Sequence, residues 1–591
     1  MKTSTEGLRA SALLLILARL SALTLAAQEG QEQVRTHFEK AQTAMREGRY
    51  KESEKEYLAT LKLNPSLAEA RANLGIVYYL DSEYPQAART LMTALKLRPE
   101  LTRARLYLGL SQFYLGQYRS SVDSLQEALS GGLDAPFQKL ARANLARDYL
   151  ALDQTEKAIA VLKALVEQYP RDTDLVYTLG KSYLRLSAAA AERLTRAGDT
   201  ARLHQMLAEN FVNQGKFKEA IDEYLEALSL DPKTPGARYP LGLLLLHEGQ
   251  AEEGRRQLQA VIQADPQNRR ARELLEQSRS NTPPKSVLEA ALSTPPPGAS
   301  PAAAGFVDPL APMPGESSTD ARRSLLDRGQ VLYSQGRYEE AAVTFKNLAA
   351  EKPRDPDRLY WLVKAYQALA IRALDQIAQV APDSARAHQL LAEGFEKQER
   401  WEQAIEEHHH ALQQDPRLPG IHYALGLARM KMGQWNEAKK EFESELSLDP
   451  FNAGANFRLG QLAYRATEYD DARRYFSRAV EIFPGFGEAQ AQLGQVLIKE
   501  QQYENAIPHL LAATQLTPDD HTIHFQLFHA YRALGEKERS EKELAIFQRM
   551  ENEKKEATLR KAALSMERIE REKAAQPAAT GSTSTLPPTP P

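Results

Sequence analysis

A proline returns along this chain at a spacing of 34 residues: Pro65 and Pro99, Pro136 and Pro170, Pro232 and Pro266, then Pro416, Pro450, Pro484 and Pro518. Proline has no backbone N–H, fixes φ and biases the residue before it away from helical geometry, so each marks the end of a unit. Between beats the apolar residues recur at helical spacing. Leu74, Gly75 and Tyr78 form one stripe of a first helix, and Ala87, Leu91 and Ala94 form one on a second. The small residues Gly75, Ala87 and Ala94 allow two helices to approach closely, with Leu74 and Leu91 filling the space between them. The pattern predicts a helical hairpin closed by its proline.

The same signature recurs at Leu241-Gly242, Leu425-Gly426, Leu459-Gly460 and Leu493-Gly494, and on second helices as Ala341 with Phe345, Ala438 with Phe442 and Ala472 with Phe476. Leu-Gly, an aromatic three residues on, then Ala-x-x-x-Phe and a closing Pro resembles the tetratricopeptide repeat. The resemblance covers Val34 to Arg279 and again Ala321 to Arg549, with a departure at Gly131-Gly132, where three residues are inserted before Pro136. It implies an all-α fold: two right-handed superhelical solenoids of antiparallel helix-turn-helix hairpins, over 31–279 and 320–550, joined by a Pro-rich linker.

A larger duplication lies over these repeats. YPRDTDLVYTLGKSYLRL from Tyr169, with ARLHQMLAENFVNQGKFKEAIDEYLEAL from Ala201, reads like KPRDPDRLYWLVKAYQAL from Lys352 with ARAHQLLAEGFEKQERWEQAIEEHHHAL from Ala385. Both copies share one irregularity: after Tyr183, and again after Tyr366, the usual second-helix pair is missing and the unit is cut short before Ala201 or Ala385. A defect that recurs belongs to a duplicated module.

Residues 280–319 carry Pro283-Pro284, Pro295 to Pro297, Pro301, Pro309, Pro312 and Pro314 among Ala, Ser and Gly, and are read as a disordered, semi-stiff linker, with a small docking motif at Phe306 and Leu310 as the lesser alternative. Residues 551–575 read as a charged helical extension and 576–591 as a disordered Pro/Thr tail. At the other end, Lys2 and Arg9 precede an apolar run to Ala18, with Ala26-Ala27 before polar QEGQEQ, which is the layout of a signal peptide over 1–27. Arg19 interrupts the apolar stretch, so no stable membrane span is expected. Export to a bacterial periplasm follows as the expectation, with a cytoplasmic chain or an uncleaved N-terminal anchor as alternatives.

The chain has no cysteine, which excludes disulfides, thiolate metal sites and cysteine catalysis. A net charge of −3 gives no electrostatic reason to bind nucleic acid. Gly180-Lys181-Ser182 imitates the end of a phosphate-binding loop, but Leu175 stands where the first glycine belongs, and Leu179-Gly180 with Tyr183 is the repeat signature itself. His408-His409-His410 diverge by about 100° per residue on a helix and do not close on one ion. No metal site, cofactor or catalytic residue is expected. His37, His204, His388, His422 and His524 recur three residues before the Leu, or its equivalent, of the first helix; they read as packing residues, or as a pH-sensitive element of the superhelix.

In the family resembled, the first helices line a concave face that holds a peptide or a partner helix. The resemblance puts Tyr239, Leu243 and Leu246 on that face in the first half, and Tyr423, Leu427, Met430, Phe457, Gln461, Tyr464, Gln495, Ile498, Phe525 and His529 in the second. A carboxylate clamp is not supported: Asn73 and Arg103 fit it, but Phe38, Gln42 and Tyr107 occupy its other places. The expected function is that of a non-catalytic scaffold binding proteins or peptides, with a self-associating structural component of the cell envelope as the alternative.

Overall fold

The computed structural model describes residues 29–280, 285–293 and 318–575, all helices and short turns. The helices run α1 (29–46), α2 (Tyr50–Leu63), α3 (Ala68–Leu80), α4 (Tyr84–Leu97), α5 (Thr102–Tyr114), α6 (Tyr118–Ser130), α7 (Ala135–Ala151), α8 (Thr155–Gln168) and α9 (Thr173–Arg196). They continue as α10 (Ala201–Asn213), α11 (Phe217–Leu230), α12 (Arg238–His247), α13 (Ala251–Ala264), α14 (Arg269–Ser280) and α15 (Lys285–Ser293). Beyond residue 317 come α16 (Ser318–Ser334), α17 (Tyr338–Glu351), α18 (Pro356–Val380), α19 (Ala385–Lys397) and α20 (Trp401–Gln414). The last eight are α21 (Ile421–Lys431), α22 (Trp435–Leu448), α23 (Ala453–Arg465), α24 (Tyr469–Ile482), α25 (Gly487–Lys499), α26 (Tyr503–Leu516), α27 (His521–Ala533) and α28 (Lys537–Ala575). Two compact units result, 1–418 and 419–591.

One turn builds every hairpin. Seven residues after the small residue of the first helix, or after Phe528 in the last hairpin, comes a residue with φ between +58° and +82°: Gly48, Ser82, Gly116, Asp153, Gly215, Gly249, Gly336, Glu399, Gly433, Thr467, Gln501 or Gly535. It ends the helix in a Schellman motif. In the turn after α3, Ser82 N–H donates to Tyr79 O at 3.0 Å and Glu83 N–H to Tyr78 O at 2.8 Å, satisfying carbonyls the helix leaves open. The closing prolines fall just after second helices, as the spacing predicts. Pro136 differs: it lies in the first turn of α7, after the Gly131-Gly132 insertion.

Within a hairpin the small residue is required sterically. A Cβ on Gly75 would lie 2.6 Å from Leu91 Cγ, and one on Gly460 would lie 2.6 Å from the Phe476 ring. Some second helices add a serine bond across the same contact: Ser53 Oγ donates to Ala41 O and Ser121 Oγ to Gly109 O, each at 2.8 Å.

The two irregular units are not shortened hairpins. Each is one unbroken helix, α9 or α18, because Ser187 and Ala370 stand at the turn position, in runs of Ala and Leu that favour continued helix. Asp172 and Asp355 cap their N-termini by accepting backbone N–H bonds. Having no second helix of their own, α9 and α18 pack along each other. Each half supplies what the other lacks: the Cβ position of Gly180 meets Leu374 at 2.6 Å, as Gly75 meets Leu91 inside a hairpin, and Ser187 Oγ donates to Val363 O at 3.3 Å, as Ser121 does to Gly109.

The exchange is reciprocal. Arg202 on α10 pairs with Asp357 on α18 at 2.7 Å, and Arg386 on α19 pairs with Asp174 on α9 at 2.6 Å. Glu209 accepts from Tyr360 Oη at 2.7 Å and Lys364 Nζ at 3.0 Å; Glu393 accepts from Tyr177 Oη at 2.6 Å and Lys181 Nζ at 3.1 Å. Lys163 with Glu339 and Lys346 with Glu156 repeat the relation between α8 and α17. Residue i meeting j while the equivalent of j meets the equivalent of i is the rule of a two-fold interface. Here the two copies of the duplicated module obey it within one chain.

The compact units therefore do not divide at the Pro-rich segment: α16 to α20 belong with the helices before it. Part of that segment is also ordered. α15, expected as linker, buries Leu288 with Leu292 against Leu243, Leu246 and Leu258, and Glu289 meets His247 Nε2 at 3.1 Å. Leu288 and Leu292 are four apart and form an apolar stripe, which covers a face of α12 left open by the end of the repeats. Residues 1–28, 281–284, 294–317 and 576–591, which include the expected signal peptide, Phe306, Leu310 and the C-terminal tail, lie outside the described residues.

Candidate interaction surfaces

Three of the residues expected on a binding face are core instead. Leu243 is 1 % exposed, because α12 is apolar on all sides from Leu241 to Leu246 and α15 covers it; Leu246 is buried with it. Phe457 is 2 % exposed, its ring 5.7 Å from Phe476 and 4.7 Å from Phe486. Tyr239 is half-buried against the α12–α15 cluster.

The others keep a solvent-facing edge. Tyr423 is half-buried against Phe442 at 5.7 Å, with Leu427 and Met430 beside the same cluster. Tyr464 is half-buried, 5.6 Å from Tyr469, and Gln461, Gln495 and Ile498 are also half-buried. Phe525 is 40 % exposed and clusters with His529, Phe528 and Phe547. Beside Tyr469 an open recess is lined by Thr467, Glu468, Asp470, Asp471, Glu500 and Gln502. Arg473 pairs with Asp470 and Glu500, and Arg474 with Asp471, so two positive charges offset part of the charge of its four carboxylates.

The recurring histidines have a common partner that the sequence reading missed. His37, His204, His388, His422 and His524 meet Glu56, Glu223, Glu407, Glu441 and Glu543 respectively, each 19 residues on, with Nδ1–Oε2 distances of 2.6 to 2.8 Å. The contact ties the first helix of a hairpin to the second. At His204, Asp199 takes the other ring nitrogen at 2.6 Å, and the Glu223 and Asp199 bonds raise its pKa to about 9. The signal was readable as His-x18-Glu.

The His408–His410 run splits by environment. His408 is fully buried with Nε2 2.8 Å from Glu396, while His410 Nδ1 lies 3.8 Å from Glu407 Oε2, already bound by His388. Gly180, Lys181 and Ser182 are structural: Gly180 admits Leu374, Lys181 pairs with Glu393, and Ser182 donates to Thr178 O within α9.

Two further carboxyl groups are buried. Glu445 accepts from Gly420 N–H and Tyr423 N–H, each at 3.2 Å, and from Asn452 Nδ2 at 3.1 Å, capping α21 from a neighbouring helix; burial raises its pKa. Asp148, fully buried, faces Ser121 Oγ at 2.6 Å, and burial pushes its pKa up to about 7.

Paired helices of constant length, a left-handed residue at each turn and a glycine-to-Leu or glycine-to-Phe contact define a helical repeat protein of the hairpin type. The chain belongs to the tetratricopeptide repeat family: one tetratricopeptide repeat model matches 38–102, 106–172, 143–201, 319–366, 423–486 and 457–521, a second matches 211–277, and a TPR repeat model matches 395–433. Repeats of this family commonly mediate protein–protein interactions and form scaffolds that are generally non-catalytic. No curated protein matches the chain. Among solved structures it is similar to MamA (20 % identity, 28 % of this chain and 97 % of that one, TM-score 0.27). It is also similar to YrrB, a TPR protein with an unusual peptide-binding site (21 %, 30 % and 91 %, 0.27), and to PilF of Pseudomonas aeruginosa (17 %, 39 % and 92 %, 0.28). No helix among the described residues is long and apolar enough to cross a membrane.

Proposed function

We propose that this protein is a non-catalytic scaffold that holds a protein or peptide partner against the first helices of residues 419–591. The observation that carries the reading is the set of apolar side chains there that keep an open edge while anchored to the core: Tyr423, Leu427, Met430, Tyr464 and Phe525. A ring fixed on one side and open on the other presents apolar area at little cost in side-chain entropy, which is the usual make-up of a binding anchor. Export through the N-terminal segment completes the proposal.

The test is affinity capture with the full chain beside a Tyr464→Ala, Phe525→Ala variant of equal helicity, followed by titration of the captured partner in isolation. Direct binding that weakens at least tenfold in the variant supports the proposal. Direct binding of equal strength to both chains refutes this surface.

Self-association is a second reading, favoured by the reciprocal α9–α18 exchange. The same contacts form equally between α9 of one chain and α18 of another, which would join two chains. Light scattering that shows a dimer, lost on Leu374→Ala and Glu393→Ala substitution, would favour it.

A further inference from the structure

We propose that His388, Glu407 and His410 form a zinc site on the α19–α20 hairpin. Of the other four His–Glu contacts, that at His204 has Asp199 on the opposite ring nitrogen, and that at His422 has Arg429 Nε, which binds no metal, 3.5 Å from the Glu441 carboxylate. Only at Glu407, among the described residues, does a second histidine face the same carboxylate. His388 Nδ1 lies 2.7 Å and His410 Nδ1 3.8 Å from Glu407 Oε2; the two rings are 5.2 Å apart and all three ligand atoms lie within 4.8 Å of one another. Helical spacing brings it about: Glu407 and His410 are three apart on α20, and His388 projects across from α19 through the contact common to the other repeats.

Tetrahedral zinc at about 2.0–2.1 Å from nitrogen and oxygen sets its ligands about 3.3 Å apart. The distances present bracket that value, so side-chain rotation alone closes the set. Two imidazoles with one carboxylate suit a borderline first-row ion, whereas Ca2+ and Mg2+ prefer all-oxygen ligands. The side chains of His388 and Glu407 are each 19 % exposed and that of His410 is 42 % exposed, so an ion has a path in and water completes its coordination. It is the one three-ligand group among the described residues, and the chain has no thiol to compete with it. Bound zinc would clamp α19 to α20.

The test is calorimetric titration of Zn2+, and separately Mg2+, into the untagged full chain at pH 7.5, with visible absorption of the Co2+ form as a geometric readout. One Zn2+ per chain is expected, with no Mg2+ heat and a tetrahedral Co2+ spectrum. His410→Ala should weaken Zn2+ at least tenfold and abolish that spectrum. His422→Ala, which removes a His–Glu contact without a third ligand, should leave both unchanged. No Zn2+ binding, or binding of equal strength in His410→Ala at unchanged helicity, overturns the proposal.

Discussion

Replacing Asp148 by Asn should make stability less sensitive to alkaline pH, by an amount that follows from one shared proton. Ser121 Oγ lies 2.8 Å from Gly109 O and 2.6 Å from Asp148 Oδ2, and its single proton serves only one of them. A carbonyl cannot donate, so Ser121 gives its proton to Gly109, and the Asp148 side of the contact requires a protonated carboxyl donating to Ser121. That agrees with a pKa pushed from 3.8 to about 7 by burial, against the Arg147 charge; a Ser121 O–H donated to the carboxylate would lower it further, and a proton committed to Gly109 O removes that opposition. The folded chain thus holds a proton that the unfolded chain releases above pH 4, and stability falls as pH rises from about 4 to about 7, then levels. At about 1.4 kcal/mol per pH unit the full loss is about 4 kcal/mol, of which about 2–3 kcal/mol falls between pH 5 and 8. Asn keeps a donor toward Ser121 and does not ionise. Urea titrations of both chains at pH 5 and pH 8, with hydrogen exchange of the α6 and α7 amides to keep the readout local, give the comparison. The Asn chain should gain about 2–3 kcal/mol on the parent as pH rises. An equal difference at both pH values would refute the shared-proton assignment.

Thr467→Gly should stabilise residues 419–591 by about 1 kcal/mol, because a β-branched residue sits at φ 62° in the turn after α23; thermal denaturation reads it. Glu445→Ala strips the cap of α21 and should cost about 2–3 kcal/mol, read by urea denaturation of residues 419–591 if they fold alone, or by exchange of the α21 amides in the full chain. Glu209→Ala and Glu393→Ala each remove the acceptor shared by a tyrosine and a lysine, so both should lower the unfolding free energy read from urea titration by similar amounts, about 2–3 kcal/mol each. The raised pKa of His204 adds stability that is complete below pH 6.5 and fades as pH rises to about 9, so His204→Gln should flatten that part of the pH–stability curve.

What could be read from the chain was whatever is local. Hairpins were legible because Gly75 and Leu91, or Gly460 and Phe476, are 16 residues apart and the proline beat sets their frame. The repeated irregularity near Tyr183 and Tyr366 was visible, but its meaning was not: the residue that fills the space over Gly180 is Leu374, with no periodicity to connect them. Phe457 and Leu243 misled because one helix face serves two ends. At a first-helix position the same apolar residue either faces a groove or is covered by the next element, and Phe486 and α15 are what cover these two. The proposed zinc site was hidden for the opposite reason: His408, His409 and His410 are adjacent in sequence but diverge on the helix, while helical geometry joins His410 to a residue 22 positions earlier.

The crossing of α9 and α18 sets a clock on synthesis. When α9 leaves the ribosome, α1 to α8 have what they need to stack, but the partner of Gly180 lies 194 residues further on. At about 5–20 residues per second, α9 waits roughly 10–40 s with its apolar face uncovered. For that interval the nascent chain is a half-finished stack with an adhesive end, and neighbouring chains on one message carry the same end at the same moment. A chaperone that shields α9 until residue 380 has emerged would favour closure within the chain over closure between chains.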